Sequence, residues 1–129
     1  KPILLDFTGW ACANCRRVEE NTWSDPVVYD LINNRFILIS LYVDDRTDLG
    51  DDIITLRDKN GNKKRLETVG EKWSAFQTLN FQINSQPYYV LISPDLNILN
   101  SPIQYTDTET YKNWLNDGLK SFTSQNKLP

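Results

Sequence analysis

Histidine and methionine are both absent from the 129 residues, and cysteine occurs only twice. The missing imidazole removes the Cys–His and Ser–His pairs on which ordinary nucleophilic hydrolases depend. It also removes most zinc chemistry. A structural zinc site usually takes four Cys or His ligands, so a half-site here would need carboxylates or a second chain, and no metal is expected. No apolar run approaches the roughly 18 residues of a membrane span. The longest, FILISLYV at Phe36 to Val43, reads as a buried strand, and no direct lipid binding is expected. Positive charge is not in excess: a net charge of -3 offers no basic face for nucleic acid. No secretory signal pattern is visible. The length suits one ordinary domain, and an apolar content of 40% suffices for a single core.

The chain opens on the short apolar run PILLDF, read as a strand, and the cysteines follow directly. The straight-chain residues of CRRVEEN predict a helix from about Ala11 to Thr22, and SDP at Ser24 to Pro26 marks the start of a second one, to about Asn33. RFILISLYVDD is the second strong strand. In the polar stretch Arg46 to Val69, two arms flank Asn60-Gly61, the strongest short hairpin signal, which predicts an inserted β-hairpin at about Ile53 to Thr68. Five of the nine residues from Arg57 to Arg65 are basic. This suits a solvated tip, with a docking patch as the alternative. GEKWSAFQTLNF reads as a helix with Trp73 and Phe76 on one face. SQPYYVLISPDLNILN reads as a strand from Tyr88 to Ser93, a Pro-Asp turn and a strand from Leu96 to Asn100. Thr106 and Glu109 have capping-box spacing. The helix they open repeats Tyr111, Trp114, Leu115, Leu119 and Phe122 at helical intervals, before a frayed tail TSQNKLP. The order β-α-α-β-hairpin-α-β-β-α predicts an α/β fold, a central mixed sheet with helices on both faces.

The two cysteines, Cys12 and Cys15, are separated by two residues where a strand gives way to a helix. Residues three apart in a first helical turn share a face, so the sulfurs can close a small disulfide ring or open to a dithiol. The free N–H groups and dipole of a helix start favour a thiolate at the first position. Cys12 is therefore the expected nucleophile, and Cys15 the thiol that resolves a mixed disulfide. A purely structural disulfide is the rival, although so small a ring constrains little of the unfolded chain.

LLDFTGWACANC, followed by NTWSDPVV and later by SQPYYVLIS, resembles the thioredoxin superfamily. More narrowly, it is similar to the C-terminal thioredoxin-like domain of DsbD, the membrane thiol:disulfide interchange protein of bacteria, in its Bacteroidetes-type versions. The resemblance spans nearly the whole chain and implies roles for individual residues. Cys12 and Cys15 match the redox pair, Asp6 the acid beneath it, and Glu19 a second acid near it. Pro87 matches a cis-proline facing the disulfide, which would aim backbone groups of Gln86 at an incoming partner. Physical readings run alongside. An ionised Asp6 in an apolar strand is costly, and burial and a nearby thiolate would raise its pKa. It could then take the proton of Cys15, unless it is an ordinary edge-facing Asp. Glu19 either opposes thiolate formation or is merely solvated; Trp10 either covers the disulfide or packs in the core. Three features depart from the family pattern. Ala11 separates Trp10 from the first cysteine, Ala13-Asn14 lacks the proline of thioredoxin, and the Arg46 to Val69 insertion is long.

What the resemblance implies is a disulfide reductase module that uses no cofactor. It would take electrons from a membrane-embedded donor domain and pass them to oxidised extracytoplasmic proteins, Dsb-type partners or cytochrome c maturation factors among them. The module would be a single domain spanning residues 1–129, part of a longer membrane-anchored polypeptide, and periplasmic. The chain enters a strand at Ile3 without any Met, which fits that expectation. The rivals are a free-standing oxidase or isomerase, and a redox-inactive binding domain with a structural disulfide.

Overall fold

The computed structural model describes residues 1–126. Strand β1 (Ile3–Thr8) is the centre of a three-stranded sheet. On one side it runs parallel to β2 (Ile37–Tyr42), with Asp6 opposite Ser40. On the other it runs antiparallel to β5 (Tyr88–Ile92), with Asp6 opposite Tyr89. The predicted mixed sheet is therefore present, in the order β2-β1-β5. Between β1 and β2 lie helices α1 (Ala13–Asn21) and α2 (Pro26–Arg35); α3 (Val69–Phe81) precedes β5, and α4 (Thr108–Gln125) follows it. Strands β3 (Ile54–Arg57) and β4 (Lys63–Leu66) form the inserted hairpin.

Side chains alternate across a strand, and β1 divides the core accordingly. Leu4 joins Val18 of α1, Val28, Leu31 and Ile32 of α2, and Tyr111, Trp114, Leu115 and Leu119 of α4. Leu5 and Phe7 face the other way, among Leu41, Tyr88 and Val90, with Trp73 and Phe81 of α3 against them. The helical repeat read in α4 is thus its buried face, with Phe122 packed at its margin. Asp6 and Thr8 have the same parity as Leu4, so the sheet directs them toward α1.

Several boundaries differ from the sequence reading for local reasons. Helix α1 starts at Ala13 rather than Ala11, because Cys12 is its extended N-cap residue. Asp25 caps α2 by accepting the N–H groups of Val27 and Val28, and the helix runs on to Arg35. The hairpin turn is a five-residue loop rather than a tight Asn-Gly turn. Asp58 accepts the amides of Asn60 and Asn62, and Gly61 takes the positive φ of 82°. The predicted strand Leu96 to Asn100 is reduced to one isolated bridge, Ile98 with Ile92, and a second bridge, Ile103 with Tyr89, lies beyond it. Leu96 has a φ of 68°, and Pro102 has no N–H to extend a ladder. Helix α4 begins at Thr108 under Asp107, whose carboxylate accepts the amide of Thr110, so the Thr106–Glu109 capping box does not form. The supposed frayed tail is helical through Gln125; its last residues, 127–129, lie outside the described ones. No helix among the described residues is long and apolar enough to cross a membrane.

The start of α3 is wedged against the end of β2. A Cβ at Gly70 would come within 2.5 Å of the Val43 carbonyl oxygen and 2.7 Å of that of Asp45. Only glycine permits this approach, and the amide of Gly70 donates to the Asp45 carbonyl across it. The contact fixes the loop Val43 to Asp45, which carries a residue of the site.

Candidate active site

Strand β1 ends at Thr8, and four residues later Cys12 caps α1. Its Sγ accepts the N–H of Cys15 at 3.2 Å, as a serine or aspartate oxygen would at a helix start. Cys12 and Cys15 are joined as a disulfide, with Cα atoms 5.2 Å apart. Cys15 is 1% exposed, whereas Cys12 is half-buried. An attacking partner thus meets Cys12 first, and the amide pointing at its sulfur favours the thiolate over the thiol.

The turn between strand and pair is held from across the sheet. The Asp44 carboxylate, just beyond β2, accepts the amides of Trp10 at 2.9 Å and Ala11 at 3.1 Å. Although desolvation opposes it, these bonds hold the Asp44 carboxyl below its ordinary range. The Cys12 amide closes the turn on the Gly9 carbonyl at 3.2 Å. The Gly9 Cα lies so near Asp44 that an added Cβ would be 3.2 Å from its Oδ2. Trp10 does not belong to the core. It is 64% exposed and stacks on Tyr42 with ring centroids 4.1 Å apart. An aromatic platform therefore adjoins the cysteine turn, beside an open cleft lined by Trp10, Ala11, Asp44 and Arg46.

Asp6 is not edge-facing. It lies on the central strand, 2% exposed, and burial pushes its carboxyl up to about 7. The Ser40 hydroxyl, donating to its Oδ2 at 2.9 Å, pulls the value down. The Glu19 charge pushes it up and that of Arg16 pulls it down. Glu19 is half-buried on α1 and is not a freely solvated helix acid. Arg16 Nη2 reaches its Oε2 at 2.7 Å and the buried Thr8 Oγ1 at 3.0 Å. Arg16 thus ties α1 to β1 one residue beyond the pair, and its charge offsets that of Glu19.

The Gln86–Pro87 peptide is cis, as the resemblance implied, and Pro87 is buried. The register that sets Phe7 opposite Tyr88 brings Pro87 to the end of the sheet from which β1 runs into the cysteine turn. The Gln86 side chain is committed to the fold. Its Nε2 donates to Gln77 Oε1 at 2.9 Å and to Asn84 Oδ1 at 3.1 Å. The fully buried Gln77 in turn donates to the Ser85 carbonyl at 2.9 Å.

Asp44, Arg16, Ser40, Tyr42 and Gln77 escaped the sequence reading. Asp44 had a usable signal, an acid directly after the strand parallel to β1. Ser40, a lone serine within ILISLY, had another. Arg16 and Gln77 look like ordinary helix residues. Among the described residues no group of three or more Cys, Asp or Glu side chains is arranged to hold a metal. The disulfide at the helix start, with an amide-capped sulfur and a buried acid on the strand that leads into it, is an arrangement suited to thiol–disulfide exchange.

No curated protein matches the chain in sequence. Solved structures match it in fold. A thioredoxin-fold protein of Helicobacter pylori superposes with a TM-score of 0.67 at 18% identity, covering 99% of this chain and 74% of that one. A thioredoxin of Thermus thermophilus gives 0.60 at 15%, covering 90% and 72%. The C-terminal domain of Neisseria meningitidis DsbD in its reduced form gives 0.56 at 14%, covering 92% and 81%. At these identities the likeness is one of fold. The sequence profile of the thioredoxin-like family matches residues 1–94. That span runs from β1 through the cysteine pair and cis-proline to the end of β5, and over it the chain belongs to the thioredoxin-like family.

Proposed function

We propose that the domain is a protein-disulfide reductase. Its Cys12–Cys15 dithiol would reduce disulfides of extracytoplasmic proteins and be re-reduced by a membrane-embedded donor domain of the same or a partner chain. The observation that carries the reading is the Cys12–Cys15 disulfide at the N-terminus of α1 with the buried Asp6 on the strand leading into it. In the forward reaction the Cys12 thiolate attacks a partner disulfide, forming a mixed disulfide and releasing one partner thiolate. Cys15 loses its proton to Asp6 and attacks the Cys12 sulfur. The Cys12–Cys15 bond closes, the second partner thiolate leaves, and the partner has gained the two electrons the pair has lost. The run from Asp6 to Pro26 supports the DsbD-like assignment, and with it a periplasmic setting and the membrane donor. One observation favours the rival oxidase reading: the amide donated to Cys12 Sγ stabilises a thiolate and hence the reduced form.

The reading is tested by mixing the reduced domain with a protein disulfide and quenching with an alkylating reagent. Near neutral pH, Cys12 should be modified first and the protein disulfide should be reduced in stoichiometric amount. Preferential labelling of Cys15, or no reduction of the protein disulfide, would overturn it.

A further inference from the structure

Asp6 is sealed inside the sheet, yet a proton that it takes must leave again. Among the described residues, the one side chain that hydrogen-bonds its carboxyl is that of Ser40, at 2.9 Å. Ser40 faces Asp6 in the parallel register of β1 and β2, and it is the single hydroxyl within the apolar run Ile37–Leu41. Strand β2 is one of the two outer strands of the described sheet, and Ser40 on it is half-buried. Leu38, two residues earlier on the same face, is 39% exposed and lines a surface hollow with Glu19, Trp23 and Tyr29. Ser40 is thus the less buried partner of the Asp6–Ser40 pair.

We propose that Ser40 is a positioning residue of the exchange reaction: its hydroxyl orients the Asp6 carboxylate toward the Cys15 proton and relays that proton outward from the buried carboxyl. This rests on the exchange reading above. The balance is simple. The Cys15 S–H gives its proton to the Asp6 carboxylate, the Cys15 sulfur keeps the electron pair and attacks Cys12, and the proton passes from Asp6 by way of the Ser40 hydroxyl to water. A hydroxyl suits both states of the acid, because it donates to a carboxylate and, by rotating, accepts from a carboxylic acid.

The other groups facing Asp6 do not serve this purpose. Tyr89 of β5 lies opposite it, with burial pushing its phenol up, so it stays neutral. Tyr111 of α4 is fully buried, its phenol also pushed up by burial, and its oxygen accepts from Trp23 Nε1 at 3.1 Å. Arg16 and Glu19 of α1 carry charge but are bound to each other.

The test compares wild type, Ser40→Ala and Ser40→Thr by two readouts. One is the carboxyl titration of Asp6 in the disulfide form, followed by NMR. The other is the pH profile of mixed-disulfide release in a single turnover. Loss of a hydrogen bond to a charged group should raise the Asp6 midpoint in Ser40→Ala by about one pH unit. The acidic limb of the release profile should move by the same amount, slowing release about tenfold at pH 6. Ser40→Thr should restore both. An unmoved midpoint beside normal wild-type release, or a slowing uniform across pH that Thr does not rescue, overturns the role of Ser40 alone. Failure of the wild type to release any mixed disulfide would overturn the exchange reading and the Ser40 role together.

Discussion

Replacing Asp6 by Asn should make the oxidised domain more stable above neutral pH, not less. The carboxyl is 2% exposed, and burial raises it from 3.8 to about 7. Between these values the folded state holds the Asp6 proton more tightly than the unfolded chain does. Stability must therefore fall as pH rises through that window, with the full loss felt above pH 7. At about 1.4 kcal/mol per pH unit the loss is on the order of 4 kcal/mol, a large share of the 5–15 kcal/mol typical of a domain. An Asn keeps an oxygen for the Ser40 hydroxyl and never ionises. At pH 8 the variant should unfold at a higher denaturant midpoint, by roughly 2–4 kcal/mol, or roughly 10 °C in melting temperature. At pH 4 the two proteins should be nearly equal. Denaturation curves at the two pH values decide it: parallel pH dependences would mean that Asp6 is not the buried acid described here. The same substitution should slow mixed-disulfide release more than its formation, because only release uses the base. A residue that costs the fold so much is more readily explained by chemistry than by packing.

Cys15→Ser should convert the domain from a catalyst into a trap. In the wild type, the resolving sulfur is carried on the same first turn as Cys12, with Cα atoms 5.2 Å apart. Well-oriented intramolecular groups reach effective concentrations of about 10⁵–10⁸ M. Without that sulfur, a mixed disulfide at Cys12 must wait for an external thiol at millimolar concentration. Its lifetime should lengthen by about 10³-fold or more, and the covalent complex should be visible on a non-reducing gel and in the intact mass. Cys12→Ser should form no such complex, because the remaining thiol is 1% exposed. Equal trapping by both variants would show that the two sulfurs are interchangeable, contrary to the geometry of the helix start.

What could be read from the chain followed the strength of the local signals. The apolar runs at β1 and β5 and the helical repeat of α4 each encode a buried face, so the sheet and its helical layers were legible; the run at β2, read as a buried strand, pairs with β1 as expected but leaves Ile37, Leu38 and Ile39 exposed on the edge strand. Cys12, Cys15 and Asp6 were legible because their residue types stand out against their surroundings. The ends of elements were harder. Asp107 outcompeted Thr106 as a cap, and Asp58 gathered two loop amides where Asn60-Gly61 promised a tight turn. Leu96, with its positive φ, broke the strand that its neighbours suggested. Long-range polar contacts were least legible. Asp44 reaches the Trp10 and Ala11 amides across more than thirty residues of chain, and Ser40 meets Asp6 only through strand register. Such pairings depend on which strand lies beside which, and no local pattern encodes that. The exposure of Trp10 was likewise hidden, since its partner Tyr42 comes from another strand.

Equilibrating the Cys12–Cys15 pair with defined ratios of reduced and oxidised glutathione tests the reductase reading most directly. Two influences oppose each other at the pair. The Cys15 amide on Cys12 Sγ stabilises the reduced form as a thiolate. The ionised fraction of Asp6, and what remains of the Glu19 charge beside Arg16, disfavour that thiolate and make the dithiol a better donor. With a capping bond to a half-buried sulfur on one side and a buried acid on the other, the potential should lie nearer that of thioredoxin, about -270 mV, than that of DsbA, about -120 mV. A potential close to -270 mV would establish a donor. A potential close to -120 mV would mean that the thiolate is the dominant influence and that the domain oxidises its partners, contradicting the account.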